Sequence, residues 1–164
     1  MKQFLIVGSI NCIHYVNVFP YIKSREVHYR PQCIHKFENG AAVATWYTTM
    51  ETPYIPPLVL TKSYTPEEYP KYDNYDAINV DKTKDIPCDY EGVMGVPTTF
   101  LDKWNPEQFE IVGFQCRHDS PYKTKIYPKQ EFENANDLNS SGVIIKDGKM
   151  KHMYVRLMIK RKMN

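Results

Sequence analysis

Prolines interrupt the middle of this chain so often that no long helix or strand can form there. Six of its 12 prolines lie in residues 53–92, and each one fixes φ and removes a backbone donor. The same stretch is crowded with aromatic side chains, which oppose disorder. We therefore predict a long loop that packs across the folded body, with a short edge strand at 76–80. The aromatic residues that crowd it include Tyr64, Tyr69, Tyr72, Tyr75 and Tyr90.

The N-terminal segment contains a continuous apolar run, Phe4–Val7, which ends at Gly8. Such a run is typical of a strand buried on both faces, as in a parallel sheet. Asn11 is the predicted cap of a helical turn. Pro20 either kinks the helix that follows or opens a new turn at its first position. The chain then returns as a strand through 27–29.

Two dipeptides predict β-hairpins, because both of their residues tolerate the positive φ that a tight turn requires. Asn39-Gly40 separates an arm at 33–37 from an arm at 43–47. Asp147-Gly148 separates 143–145 from a second arm predicted at 153–159. Between the hairpins, 96–101 predicts a helical turn, Asn105 a cap, and 109–114 a strand.

Motif searches exclude several enzyme classes. The chain has no GxSxG, GxxxxGK[ST], GxGxxG or HExxH pattern. Its four cysteines are too widely spaced for a zinc ribbon, so we predict no metal site. No apolar stretch approaches the roughly 18 residues of a membrane span, and no signal peptide is recognisable. We therefore expect a cytoplasmic protein.

The net charge of +2 hides a segregation along the chain. Residues 67–110 carry 4 basic and 11 acidic side chains, whereas residues 111–164 carry 11 basic and 5 acidic ones. A basic C-terminal third indicates either a polyanionic partner or a solvated lysine face.

Three segments of the middle of the chain are distinctive: 71–80 (KYDNYDAINV), 85–97 (DIPCDYEGVMGVP) and 100–113 (FLDKWNPEQFEIVG). Together they resemble the C-terminal half of EcoRI-type adenine-specific DNA methyltransferases. The segment 4–11 (FLIVGSIN) resembles the strand that follows the catalytic loop in that family, 45–49 (TWYTT) resembles a later strand of the same sheet, and 154–159 (YVRLMI) resembles the closing strand. The resemblance is specific from 71 to 113 and weak from 115 to 142.

This resemblance implies transfer of a methyl group from S-adenosylmethionine to the exocyclic amine of adenine in double-stranded DNA, in a restriction-modification system. Chemistry on a base requires flipping it out of the duplex. The resemblance also implies an α/β fold: the C-terminal part of a Rossmann-like methyltransferase sheet with hairpins and a loop-rich recognition-type extension. The expected parts are trailing strands in 1–52, a loop-rich region in 53–114, and a basic region with a closing hairpin in 115–164.

Two loops that the family uses for catalysis are absent from these residues. They are the glycine-containing cofactor loop and the Asn/Asp-Pro-Pro-aromatic loop, which in the family precede the strand that 4–8 resembles. Neither 105–109 nor 54–58 satisfies the second pattern. We therefore expect a truncated or split methyltransferase segment that is inactive alone and binds no cofactor alone, with its catalytic half on another chain. The alternative is a non-catalytic nucleic-acid or protein-binding module.

Nine residues are candidate DNA contacts, and no catalytic, cofactor-binding or metal-binding residue is predicted. Trp46 and Tyr47 are adjacent, so their side chains point to opposite faces of a strand. Either one of the two lines a base pocket or both pack in the core. Lysines that alternate with tyrosines suit phosphate contact, with a solvated loop as the alternative. The C-terminal cations suit phosphate attraction or a solvated terminus. The nine are Trp46, Tyr47, Lys123, Lys125, Lys129, Arg156, Lys160, Arg161 and Lys162.

The resemblance has one further consequence for the first strand. If 4–8 lies inside a sheet in the complete enzyme, the chain alone has an unpaired sheet edge. We then expect a marginally stable, aggregating or dimeric protein.

Overall fold

The computed structural model describes residues 3–34, 44–115, 122–128 and 137–162. The described residues form nine strands, one α-helix and three 3₁₀ helices, so the fold is mixed α/β and dominated by sheet. The chain divides into two compact units: Met1–Pro56 with Leu101–Lys103, and Pro57–Phe100 with Trp104–Asn164. Within the described ranges, no helix combines the length and the apolarity that a membrane crossing needs.

The first unit contains a three-stranded antiparallel sheet of order β1–β3–β2. The strands are β1 (Leu5–Ser9), β2 (His28–Ile34) and β3 (Ala44–Thr48). The pairing of β2 with β3 agrees with the predicted hairpin arms, whereas the Asn39-Gly40 turn lies outside the described residues.

Two short helices connect β1 to β2. A 3₁₀ helix spans Ile10–His14, and α1 spans Phe19–Lys23 with Pro20 in its first turn, which is one of the two predicted alternatives. The cap of the 3₁₀ helix is Ser9 and not the predicted Asn11, because the Ser9 hydroxyl accepts the backbone N–H of Asn11.

The prediction that β1 is buried in a parallel sheet is wrong. The strand pairs antiparallel to β3, and its apolar side chains are largely exposed: Leu5 is 50% accessible, Ile6 54% and Val7 42%. The physical reason is that β1 is an edge strand, paired on one side only.

The second unit is built on a four-stranded sheet of order β4–β5–β9–β6. Strand β4 runs parallel to β5, and the other two pairings are antiparallel. Its inward-facing side chains form a fully buried core, and β4 at the edge confirms the short edge strand predicted near 76–80. The strands are β4 (Ile78–Asn79), β5 (Met94–Val96), β6 (Phe109–Phe114) and β9 (Leu157–Arg161).

A separate hairpin joins β7 (Val143–Lys146) to β8 (Lys149–His152). Asp147 and Gly148 have φ of 53° and 71°, as a tight hairpin turn requires. The predicted second arm at 153–159 is wrong, since the paired arm ends at His152 and 157–161 belongs to β9. Leu157 and Ile159 are fully buried in β9, which lies between β5 and β6 in the larger sheet.

Residues 53–92 form the predicted loop-rich stretch, interrupted by β4 and a 3₁₀ helix at Thr83–Asp85. Its tyrosines hold it in place. The rings of Tyr64 and Tyr90 lie 4.7 Å apart, and the buried Tyr69 donates its hydroxyl hydrogen to the carbonyl of Asp85 at 2.8 Å. The 3₁₀ helix Thr98–Lys103 buries Phe100 and Leu101, as its sequence predicts.

Candidate functional site

The segment 71–80, which carries the most distinctive sequence block, lies at the centre of the second unit. Asn74 is fully buried. Its side-chain amide forms hydrogen bonds with two backbone groups, one just before β7 and one in the first residue of β7. Its Nδ2 donates to the carbonyl of Ser141, and its Oδ1 accepts the N–H of Val143, both at 2.8 Å. The backbone of Asp73 also donates to the carbonyl of Val143 at 2.8 Å. These bonds fix the β7–β8 hairpin to the segment.

A series of side-chain hydrogen bonds connects the same segment to Arg156, just before β9. The Tyr72 hydroxyl donates to Oδ1 of Asn79 at 2.7 Å, and Nδ2 of Asn79 donates to Oδ1 of Asp81 at 2.8 Å. Nη2 of Arg156 bonds the same Asp81 oxygen at 3.2 Å. Burial raises the pKa of Tyr72, so its phenol stays neutral and keeps its donor.

Two glycines make room for the Tyr72 ring. A Cβ at Gly95 would lie 2.6 Å from the Tyr72 hydroxyl oxygen, and one at Gly142 would collide with the ring carbons. The amide of Gln115, fully buried, faces the same ring. The block therefore acts as a polar framework, in which buried side chains hold loops and the exposed Asp81 stands at the outer end.

The candidate DNA contact Arg156 belongs to this framework. The residue is only 8% exposed and pairs with Asp81. The Arg156 guanidinium is buried and its charge is offset by the Asp81 carboxylate, whose side chain is 70% exposed. Its DNA contact stays a prediction that this geometry does not support.

Lys123 and Lys125 lie in the 122–128 loop and contact the segment 71–80. Nζ of Lys125 lies 2.7 Å from Oδ2 of Asp73, and the Tyr127 hydroxyl donates to the same oxygen at 2.5 Å. These two hydrogen bonds, that of Lys125 first, hold the pKa of Asp73 below its usual value. Nζ of Lys123 donates to the carbonyl of Asn139 at 2.6 Å. Both lysines thus have partners within the second unit, while the Lys125 side chain stays 47% exposed.

The C-terminal cations lie at the end of β9. Lys160 and Lys162 are exposed and Arg161 is half-buried. Lys162 lies one residue beyond β9, but its N–H donates to the carbonyl of Gln108 at 2.9 Å and so continues the pairing with the chain before β6, which places Lys160 and Lys162 on one face. Lys160 lies opposite Glu110 in the ladder with β6, but it forms no ion pair with a described residue. Lys129 lies outside the described residues.

Trp46 and Tyr47 lie on opposite faces of β3, as predicted. Tyr47 is 4% exposed, its hydroxyl donates to the carbonyl of Ser9 at 2.9 Å, and it stands beside a cavity of about 230 Å³. Trp46 is half-buried on the other face, where it pairs with Val7. The cavity wall is almost entirely carbon and includes no charged side chain. The lining consists of Phe4, Ile6, Gly8, Cys12, Asn17, Val18, Tyr21, Val27 and Tyr47.

Sequence reasoning missed a polar cluster around His152. Nε2 of His152 lies 2.8 Å from the Ser140 hydroxyl and 2.9 Å from the Ser141 hydroxyl. The hydroxyls donate to the backbone carbonyls of Asp137 and Met153, so they act as acceptors and Nε2 carries the imidazole hydrogen. Burial lowers the pKa of His152, which Asp137 partly opposes.

This cluster does not form a nucleophilic centre. Ser141 is fully buried and its hydroxyl is bound to a carbonyl, so it holds the start of β7 against the end of β8. No sequence signal predicted the cluster, because its members come from the loop before β7 and from the end of β8. In the described part of the chain, no group of three or more His, Cys, Asp or Glu side chains could hold a metal ion.

Comparison with known proteins identifies the class. The model of the family described as "Adenine-specific methyltransferase EcoRI" matches residues 32–162, so the chain belongs to the EcoRI-type adenine-specific methyltransferase family. This confirms the resemblance found in the sequence.

Three curated proteins similar to this chain are type II methyltransferases. The type II methyltransferase M.EcoRI of Escherichia coli is 42% identical over 70% of this chain and 43% of its own length. M.MgeORF184P of Mycoplasma genitalium is 32% identical over 98% of this chain and 57% of its own. M.MpnI of Mycoplasma pneumoniae is 31% identical over 99% and 58%. The chain thus spans about half the length of these relatives. No solved structure matches it.

Proposed function

We propose that this chain supplies the C-terminal part of a DNA adenine-N6 methyltransferase of the restriction-modification type. The observation that carries the proposal is the family match over residues 32–162, which includes the whole polar framework built on 71–81. The names of the three relatives, all type II methyltransferases, support the same function. Such a protein acts on chromosomal DNA, which agrees with the cytoplasmic location expected from the sequence.

S-adenosylmethionine is the methyl donor that the family implies, and the cavity beside Tyr47 does not suit it. The cofactor carries an amino-acid group whose charges need polar or charged partners. The cavity beside Tyr47 offers carbon instead. The sequence also contains neither the glycine-containing loop nor the Asn/Asp-Pro-Pro-aromatic loop. We therefore propose that residues outside these 164 bind the cofactor and hold the target adenine.

Within this proposal the first unit contributes the trailing strands of a Rossmann-like sheet, and the second unit contacts DNA. Lys160 and Lys162 are the cations best placed for phosphate, since both are exposed and share a face. Lys123, Lys125 and Arg156 instead stabilise the second unit through internal partners.

The test combines two titrations of the isolated chain. In the first, fluorescence anisotropy with a labelled duplex of mixed sequence measures DNA binding at several salt concentrations. We expect binding that weakens steadily with salt, because phosphate contacts release counterions. The second, by calorimetry with S-adenosylmethionine, is expected to give no heat of binding.

Three results would contradict the proposal. Methyl transfer to duplex DNA by the chain alone, or cofactor binding by it, would show that its own residues hold the cofactor. An absence of DNA binding at low salt would favour the alternative of a protein-binding module.

A further inference from the structure

The β7–β8 hairpin is held firmly at its base and stands free at its tip. At the base, the buried amide of Asn74 bonds the backbone of Ser141 and of Val143. Ile144 is 6% exposed and packs in the core of the second unit. Every residue from 145 to 151, by contrast, is exposed. This hairpin tip is therefore a short two-stranded ribbon that projects from a fixed base.

One face of the hairpin tip carries three lysines. In the ladder Lys146 lies directly opposite Lys149, and Lys151 follows two residues later on the same face. All three are exposed, and none forms an ion pair with a described residue. The acidic residue of the tip, Asp147, lies in the turn and not in the ladder. The lysine face (Lys146, Lys149 and Lys151) is thus a concentrated positive charge.

The lysine face is unfavourable for the hairpin alone. Like charges directly opposite each other on neighbouring strands repel and destabilise the pair. Lys151 adds a third positive charge on the same side of the ribbon as the opposed Lys146 and Lys149. A bound polyanion would offset this repulsion, because its negative charges would lie against the whole face. The arrangement therefore suits a polyanionic partner better than it suits a hairpin surrounded by solvent.

The dimensions of the hairpin tip match the major groove of B-form DNA. From Ile145 to the turn the ribbon reaches about 7–10 Å, since a strand rises about 3.3 Å per residue. The major groove is about 8.5 Å deep and about 12 Å wide, and it admits a two-stranded ribbon. The minor groove is only about 6 Å wide, which is too narrow for two strands with their side chains.

We propose that the β7–β8 hairpin tip enters the major groove of duplex DNA with its lysine face against the DNA. There the ammonium groups reach guanine edges and the phosphates that flank the groove. The hydrogen bonds of Asn74 at the base hold the ribbon in a fixed direction as it enters. This inference rests on the proposed function, and it adds a groove-reading element to the exposed cations at the end of β9.

The test compares two double variants of the full chain by anisotropy titration with a labelled DNA duplex of mixed sequence. Lys146→Gln with Lys149→Gln removes the opposed charges of the hairpin. The matched control, Lys82→Gln with Lys84→Gln, removes two exposed lysines elsewhere in the second unit. Urea denaturation measures the folding of both variants.

A duplex RNA of the same sequence serves as the second probe for the unaltered chain. The major groove of A-form RNA is deep and too narrow for side chains to read. An RNA duplex therefore offers the same phosphate charge without a groove that a ribbon can enter.

We expect the hairpin variant to bind DNA at least about tenfold more weakly than the control variant at about 0.1 M salt, with a salt slope shallower by about 1.8, because two cations near phosphate are lost. Its urea midpoint should equal or exceed that of the unaltered chain, since the repulsion between the two strands is gone. The unaltered chain should bind the RNA duplex at least about tenfold more weakly than the DNA duplex.

Three results would overturn the proposal. Equal weakening by the two variants would mean that DNA responds to net charge alone. Equal affinity for the RNA and DNA duplexes would mean that no groove is entered. A lower urea midpoint of the hairpin variant would show that the lysine face is not repulsive.

The same titrations separate this inference from the proposed function. DNA binding that the hairpin variant leaves unchanged would refute the ribbon and leave the DNA role of the second unit standing. An absence of DNA binding by the unaltered chain would refute the DNA role itself, and the ribbon with it.

Discussion

The amide of Asn74 shows how one side chain can fix two segments that lie far apart in the sequence. Replacement by alanine would leave the N–H of Val143 and the carbonyl of Ser141 buried without their partner. We expect Asn74→Ala to lower the free energy of unfolding by about 2–4 kcal/mol. Urea denaturation measures the loss. The control Thr99→Ala truncates an exposed polar side chain in the same unit, and an equal loss in both variants would contradict the role of Asn74.

Asp73 predicts a dependence of stability on acid. Its pKa is lowered by the hydrogen bonds from Lys125 and Tyr127. A carboxyl with a lower pKa in the folded state stabilises the fold above its unfolded pKa of about 4, and this contribution disappears as pH falls through the folded value. Asp73→Asn should therefore be less stable than the unaltered chain at pH 7, and the difference in stability should shrink as the pH falls below about 4.

The measurement is the urea midpoint of both proteins from neutral to acidic pH. Asp76→Asn serves as the control, because Asp76 is exposed in the same loop. A constant difference between Asp73→Asn and the unaltered chain at every pH would show that the carboxylate charge has no role.

At the scale of an element, the β7–β8 hairpin depends on its turn. Gly148 has φ of 71°, where a side chain costs about 1–2 kcal/mol, so we expect Gly148→Ala to lower the free energy of unfolding by that amount. Gly113→Ala is the matched control, since no atom lies within 4 Å of its would-be Cβ and its φ is not left-handed. Thermal unfolding followed by circular dichroism compares them. Equal melting temperatures would contradict the prediction.

The elements that the sequence predicted are those fixed by local chemistry. Asp147-Gly148 needs positive φ whatever surrounds it, and the prolines of 53–92 exclude regular structure by themselves. The failures concern pairing at long range. The apolar pattern of β1 indicates a strand that needs cover, but not which neighbour provides it. The residues 157–159 pair with β5 and β6 because of tertiary packing, which the Asp147-Gly148 signal cannot reveal.

The candidate site was likewise predicted only in part from the sequence. The sequence located the basic residues and the specific block, whereas the carboxylate partners of Lys125 and Arg156 lie 52 and 75 residues away along the chain. The Lys125–Asp73 pair and the Arg156–Asp81 pair each join the basic third to the acidic middle. Composition shows that both charges exist, but it cannot show that the fold brings them together.

Across the whole molecule, these pairs reduce the charge that the basic third can offer to DNA. Two of its cations face carboxylates within the second unit, while Lys160 and Lys162 stay exposed at the end of β9. The salt dependence of DNA affinity should therefore reflect the β9 end more than the 122–128 loop.

The double variant Lys160→Glu, Lys162→Glu tests this distribution. Each lost phosphate contact should reduce the slope of log affinity against log salt by about 0.9, so the double variant should bind more weakly with a slope shallower by about 1.8. The control Lys82→Glu, Lys84→Glu makes the same change in net charge at two exposed lysines of the acidic middle. Anisotropy titrations over a range of salt concentrations give both slopes. Identical slopes in the two variants would mean that DNA responds to net charge alone and that the β9 end makes no phosphate contact.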